Sequence, residues 1–335
     1  LTRPSSAFHH LAARLGLLFA LGAAMLATPA VAKETGLIFV SNEKTNNIII
    51  LDPKTLKIVK DLKVSHRPRD MHFNADHSLL FVACGDDDVI DVIDVAKLEV
   101  IRKIATGASP ETFALDEPRN RLYVSNEEGS SLSVIDLDRG TTLHEVPTGA
   151  EPEGVFVPED GKNVYVTTEV GNLVLLVDPE AGAVVNDVLV GTRPRRFAAT
   201  PDGRELWVTT EMSGEVWIID RAKFVASGKI DFLPPGMRKS DVTPVGVTIT
   251  HDGKTAFVSL GHAGQIAFVD VASRKVLGYV LVGKRAWGAT LSKDDKTLYV
   301  ANGLGDDITI VDVASRKATQ SVPVGRIPWG VVIDE

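Results

Sequence analysis

Seven arginines and two tryptophans stand out as groups that could do chemistry together: Arg67, Arg69, Arg193, Arg195, Arg196, Arg285 and Arg326, with Trp287 and Trp329. Guanidinium groups donate forked hydrogen bonds that match carboxylates. Indole faces stack flat rings or cations. The set suits a carboxylate-rich ligand or an acidic partner, and it equally suits arginines lying flat on tryptophan as rim structure. Asp70 and His72 form a second candidate. Their i, i+2 spacing puts both on one side of a strand, as a metal or acid–base pair requires. Two ligands do not define a metal site, and no third follows from the sequence. Glu43, Glu127, Glu169 and Glu211 could gather a hard cation, but they fall in separate repeats and read as solvated charges on a wide rim. No Ser-His-Asp arrangement or phosphate loop is present, and Gly303-Leu304-Gly305 reads as a turn. Cys84 is the only cysteine, which excludes an internal disulfide, a cysteine metal site and a Cys-x-x-Cys-His haem attachment.

A repeat must position these groups. Seven apolar runs end in Asp52, Asp94, Asp136, Asp178, Asp220, Asp270 and Asp312, at steps of 42, 42, 42, 42, 50 and 42 residues. The aromatic-Val pairs at Phe39, Phe81, Tyr123, Tyr165, Trp207, Phe257 and Tyr299 keep the same steps. A period of this length with four short strands per unit predicts propeller blades. In the unit from Pro152, strand A covers 153–157, B 163–168, C 173–177 and D 184–190, joined by Asp-Gly, Pro-Glu and Ala-Gly turns. The chain's first unit starts at strand B (36–40) and its last stops after strand A (329–333). The expected fold is therefore all-β: a seven-bladed propeller of four-stranded antiparallel blades. N-terminal strands B, C and D are closed by a C-terminal strand A, so no sheet edge stays open at the seam.

Antiparallel strands put the B–C turns and D–A connections on one face, and the A–B and C–D turns on the other. The second face repeats simple turn chemistry, such as Pro201-Asp202-Gly203 and His251-Asp252-Gly253. The first varies in charge and shape, and it holds the arginines and tryptophans. Varied groups on a rigid ring of loops are where binding resides. The longer sixth step adds 8 residues between Asp220 and Pro244, placed on this face as either a lid or a decorated connector. Alternation along strand A turns Asp70, His72, Thr112, Phe156, Arg196, Thr290 and Val332 into the channel. Glycines 154, 246, 288 and 330 are expected to leave room at the mouth.

Residues 1–32 stand outside the repeat. Arg3 and Arg14, the apolar run from Leu15 to Leu26, and Ala30-Val31-Ala32 form a secretory signal with cleavage expected after Ala32. The run is shorter than the ~20 residues that span a bilayer, so no membrane span remains after cleavage. Loss of Arg3 and Arg14 takes the net charge from -8 to -10. An acidic exported chain does not suit nucleic acid or anionic lipid. Residues 33–335 are expected to form one monomeric domain.

Leu122-Tyr123-Val124-Ser125-Asn126, Val164-Tyr165-Val166-Thr167-Thr168 and Leu298-Tyr299-Val300-Ala301-Asn302 look like the YVTN motif. With the Val-Ile-Asp ends and Val-Gly-x-x-Pro connections, residues 36–335 resemble YVTN-repeat β-propellers, most of all those associated with PQQ-dependent catabolism. The resemblance implies a periplasmic location near a quinoprotein dehydrogenase or its cytochrome, and it supplies no catalytic residues. The reading is a non-enzymatic binding or scaffold protein. The alternative is an enzyme or enzyme subunit acting on a small carboxylate at the channel mouth. The binding residues expected are Arg67, Arg69, Asp70, His72, Arg195, Arg196, Arg285, Trp287, Arg326 and Trp329, with PQQ or an acidic protein surface as the ligand. No cofactor beyond PQQ and no metal is expected.

Overall fold

A computed structural model describes residues 34–335, so the proposed signal segment lies outside the described residues. The described chain forms seven four-stranded antiparallel sheets. Six are continuous in sequence. The seventh joins Pro328–Ile333 to Ile38–Asn42, Asn47–Leu51 and Ile58–Lys63. We call this closing sheet blade 1 and number the others in chain order. At its seam Ile38 pairs with Ile333 and Val40 with Val331. Asp334 fastens the ends: its backbone carbonyl accepts from the Gly36 N–H at 2.7 Å, and its carboxylate from the Thr35 N–H at 2.9 Å.

Strands B and C of each blade are almost wholly buried, while D forms the exposed outer edge. Burial on both faces is why the B and C sequences read as apolar runs rather than alternating ones. Seven apolar clusters fill the seven gaps between neighbouring blades. Phe39 and Ile50 of blade 1, for example, pack with Leu80 and Val82 of blade 2.

Two devices hold the inner A strands together. The position after the aromatic-Val pair carries a hydroxyl in five of seven blades: Ser41, Ser125, Thr167, Thr209 and Ser259. Four of these donate to a carbonyl of the next blade's strand A: Ser41 to Arg69 at 2.7 Å, Ser125 to Glu153 at 2.6 Å, Thr167 to Arg195 at 2.9 Å and Thr209 to Val245 at 2.7 Å. The glycines act at the same joint. A Cβ on Gly154 would stand 2.1 Å from the Arg195 carbonyl oxygen, one on Gly246 2.6 Å from that of Trp287, and one on Gly288 2.8 Å from that of Trp329. These three glycines admit the neighbouring backbone; widening the mouth, their expected role, is secondary.

The 8-residue insertion is a connector. Its Phe232 and Val242 are buried in the apolar cluster between blades 5 and 6, with Met237 packed against them. The Leu233 N–H donates to the Tyr279 hydroxyl at 3.2 Å. None of its residues lines the channel or the cavity beside the tryptophans, so the lid alternative does not hold.

Candidate functional site

The A strands that carry the site begin at a buried proline in six blades and at Ala286 in blade 7. One residue further on, the repeat places a ring of unlike side chains around the mouth: Arg69, Glu111, Glu153, Arg195, Val245, Trp287 and Trp329. The residue before this proline or Ala286 has a left-handed backbone in six of the blades, including Arg67 (φ 56°), Glu151 (φ 55°), Arg193 (φ 59°) and Arg285 (φ 60°). That turn swings Arg67, Arg193 and Arg285 back toward the ring.

Six arginines there face six glutamates of the same chain. Arg67 and Arg69 both clasp Glu111. Arg69 also meets Glu43 at 3.0 Å, and Arg67 meets Glu127 at 3.5 Å. On the other side, Arg195 clasps Glu169 and lies 3.3 Å from Glu153 and 3.5 Å from Glu211. Arg193 bridges Glu169 at 2.7 Å and Glu211 at 3.1 Å. Arg196 reaches Glu153 at 3.4 Å, and Arg285 reaches Glu211 at 3.2 Å. Glu111, Glu153, Glu169, Glu211 and Arg195 are all buried. Two expectations change here. The rim carboxylates are not a set of solvated charges, because Glu169 and Glu211 are buried partners. The arginines are not a free anion-binding set, because a buried charge persists only when paired.

The same network tilts proton affinities. Burial works against ionisation of Glu153, yet Arg195, Arg196 and Arg69 hold its carboxyl below the ordinary range. Glu169 goes the other way. Burial, with Glu153 and Glu211 beside it, pushes it up to about 8 against Arg195 and Arg193. Carboxylates sharing guanidinia titrate as a unit, with one kept ionised and the other kept protonated longer.

The tryptophans are reached from across the ring. Arg196 of blade 5 lies 3.9 Å from the ring centroid of Trp329 in blade 1. Trp287 of blade 7 takes Arg285 at 4.4 Å and Arg195 at 5.3 Å. Arg195 and Arg196 belong to blade 5, and their length lets them reach these tryptophans across the mouth. Arg326 is not drawn in. It is exposed on the last connection and has no ion pair among the described residues.

Below this layer lies the channel, a space of about 340 Å³ lined by Asp70, His72, Thr112, Phe113, Arg196, Thr290 and the inward glycines. His72 Nε2 stands 3.1 Å from Asp70 Oδ2, and the imidazole meets Phe113 edge-on. Burial works against its protonation, but Asp70 outweighs this and raises its pKa. The Asp70 carboxylate also accepts from the Phe113 N–H at 3.2 Å, so the pair is anchored to the next blade. No group of three or more metal-ligating side chains gathers among the described residues.

A cavity of about 200 Å³ opens beside Trp287 and Trp329, bordered by Glu43, Arg69, Arg285, Leu304 and Ile327. The buried indole N–H groups of both tryptophans lack a partner in the protein, which favours a ligand with an acceptor. PQQ meets three obstacles. The cavity is below the ~300–1,000 Å³ usual for small-molecule sites. Guanidinia already occupy the indole faces. The carboxylates of PQQ would have to displace Glu43, Glu111 or Glu211. The mouth as built does not fit PQQ.

The model of the YNCE-like β-propeller family matches residues 26–202, and that of the choice-of-anchor I domain matches residues 128–300. No curated protein matches. Among solved structures the chain is similar to hydrazine synthase of Kuenenia stuttgartiensis, with TM-score 0.75 and 20% identity over 83% of this chain and 93% of that one. It is similar to a functionally unknown protein from Desulfotomaculum acetoxidans, with TM-score 0.76 and 14% identity over 89% and 98%. It is also similar to the dihydro-heme d1 dehydrogenase NirN, with TM-score 0.67 and 13% identity over 90% and 76%. At these identities the likeness is one of fold.

Proposed function

The chain belongs to the YNCE-like β-propeller family, and on that premise we propose that it is an exported, non-enzymatic binding protein. Its role is to serve periplasmic PQQ-dependent alcohol oxidation, with a quinoprotein dehydrogenase or its cytochrome as partner. One observation carries the binding reading. The charged groups at the mouth are matched inside the protein, so they act as scaffold, while the turns around them differ from blade to blade. No helix among the described residues is long and apolar enough to cross a membrane. Location and pathway rest on the sequence resemblance. Pull-down from the periplasm of alcohol-grown cells tests them: recovery of a quinoprotein or cytochrome is expected, and its absence removes the pathway assignment.

The channel favours a second reading. His72 and Asp70 form an ordered pair at 3.1 Å within a 340 Å³ space, which suits proton transfer on a small carboxylate. Turnover assays with alcohols, aldehydes and lactones separate the two readings. Turnover that disappears in His72→Ala establishes the enzyme. Calorimetry with PQQ at low salt, on wild type and on Arg67→Ala/Arg69→Ala, tests the cofactor. Heat in the wild type that is lost in the variant would mean that PQQ displaces the internal carboxylates.

A further inference from the structure

The second residue of each B–C turn occupies one structural position seven times: Lys44, Asp86, Glu128, Val170, Met212, His262 and Leu304. All seven are exposed. Blades 1, 2 and 3 build this turn with a charged residue, so the turn does not require an apolar one. Blade 7 nevertheless places Leu304 there, 64% exposed, and the adjacent blades 4 and 5 place Val170 and Met212 there, 61% and 67% exposed. Val170 and Met212 each have an apolar neighbour at the end of their blade's strand D or just beyond: Leu189, 67% exposed, and Leu233, 57% exposed. In the other sector the exposed charges at the turn tips are acidic, with one exposed lysine, Lys103, beside them on the outer strand of blade 2. Asp86, Asp87 and Asp88 top blade 2 and Glu128 tops blade 3. The nearby guanidinium of Arg67 is shared among Glu111, Glu127 and Asp86, at 3.6 Å from the last, and Asp86 remains 60% exposed.

We propose that this loop face docks a folded protein whose surface carries a basic patch beside an apolar one. The basic patch meets blades 2 and 3, and the apolar patch meets Val170 and Met212. The proposal rests on the binding reading above and reverses the sign of the partner expected from the arginines, because those arginines are internally spent. Apolar side chains held in water on a rigid ring mark an interaction surface, and a neighbouring, mainly acidic sector steers and orients the encounter. A second copy of the chain is disfavoured as the occupant: it brings the same acidic sector and the same net negative charge.

A photo-crosslinking amino acid placed at Met212 or Glu128, and at Asp202 on the opposite face of blade 5, tests the proposal in cells exporting the full chain. The expected result is one protein trapped from positions 212 and 128 but not from 202. That protein, once purified, should have a basic surface. Its Kd should rise at least tenfold with Met212→Glu and with Asp86→Lys/Glu128→Lys, and only the second variant should flatten the salt dependence. Equal trapping from all three positions overturns the docking face and leaves the binding role standing. Trapping from none overturns both. A trapped second copy, or an acidic protein, overturns the partner's chemistry. Co-sedimentation with phosphatidylethanolamine–phosphatidylglycerol vesicles that Val170→Glu/Met212→Glu abolishes would replace the protein partner by a membrane and overturn the proposal.

Discussion

On the face of the A–B and C–D turns, the same device appears seven times. The aspartate ending each strand C accepts from a backbone N–H three residues on: Asp52 from Thr55 at 2.7 Å, Asp136 from Arg139 at 2.8 Å, Asp270 from Ser273 at 2.8 Å, Asp312 from Ser315 at 2.8 Å, and likewise in the rest. The Thr55 N–H holds Asp52 below the usual carboxylate range, and the hydroxyls of Ser273 and Ser315, with these backbone bonds beside them, do the same for Asp270 and Asp312. On the opposite face, equivalent positions carry unlike residues: Arg69, Glu111, Glu153, Arg195, Val245, Trp287 and Trp329 in the mouth layer. Where residues recur, turn geometry explains them. Where they differ, the explanation is pairing with a neighbouring blade or with something outside the protein.

The largest expected effect breaks the ring that both faces share. Deleting residues 328–335 removes strand A of blade 1 and strips Val331 and Ile333 from the cluster against blade 7. It also leaves Ile38–Asn42 as an unpaired edge. A sharp fall in melting temperature and a larger radius in solution scattering are expected. Unchanged melting would sink the closure.

Next come the buried charges of the mouth. Arg195→Met leaves Glu153 and Glu211 with less compensation, and breaking a buried pair from one side costs ~3–5 kcal/mol. The pH dependence has two opposite arms. Glu153 has a folded pKa below its unfolded value near 4.5, so its contribution is present above 4.5 and is lost as the pH falls through the folded value. Glu169 has a folded pKa raised from 4.5 to about 8, so its contribution is full below 4.5 and is lost as the pH rises toward 8. Melting scans from pH 3 to 9 should therefore lose the alkaline decline in Glu169→Gln and the acid decline in Glu153→Gln. Superimposable profiles of wild type and both variants would mean that the network does not couple to folding.

Much of this architecture was legible in the chain. The 42-residue step set the blades, and the strand ends expected from the unit at Pro152 agree with the observed ones to within a residue. The complementary ends announced the seam because three strands at one end and one at the other complete a single four-stranded blade. The pairing at the mouth is hidden when its charges are grouped by sign, arginines against glutamates, and shows only when they are compared position by position. Arg69 and Glu111 stand 42 residues apart, as do Glu153 and Arg195. Opposite charges one period apart lie in adjacent blades on the same layer, which signals an ion pair across the joint. The YVTN-like hydroxyl held a similar signal, since a Ser or Thr recurring in a buried strand needs an acceptor. The reach of Arg196 to Trp329 had no such signal, because it depends on the width of the channel.

A smaller effect tests the hydroxyl joints. Thr167→Val preserves shape but leaves the buried Arg195 carbonyl without that donor, and an unsatisfied buried acceptor costs ~1–3 kcal/mol. Thr319→Val provides the surface comparison. Its hydroxyl donates to the Ile310 carbonyl at 3.1 Å on an exposed outer strand. Chemical denaturation should separate the two variants. Equal stability would mean that the interblade bond carries no weight.

The smallest effect is expected at the loop tips, and it bears most directly on the difference between the faces. Met212→Glu gives blade 5 the residue type that blade 3 uses at Glu128, on a turn of the same length. Met212 is 67% exposed, and its backbone N–H keeps its bond to the Thr192 carbonyl at 3.2 Å whatever the side chain. Stability should therefore stay within about 0.5 kcal/mol of wild type, the range of ordinary surface changes. Asp270→Ala, though equally a surface change, removes the acceptor for both the N–H and the hydroxyl of Ser273 and should lower the melting temperature. A tip that recurs by geometry would behave like Asp270, and a tip kept for a partner would be silent until the partner is added. If Met212→Glu destabilised the isolated protein as much as Asp270→Ala, the tip would belong to the fold. The apolar sector would then lose its claim to be a docking surface.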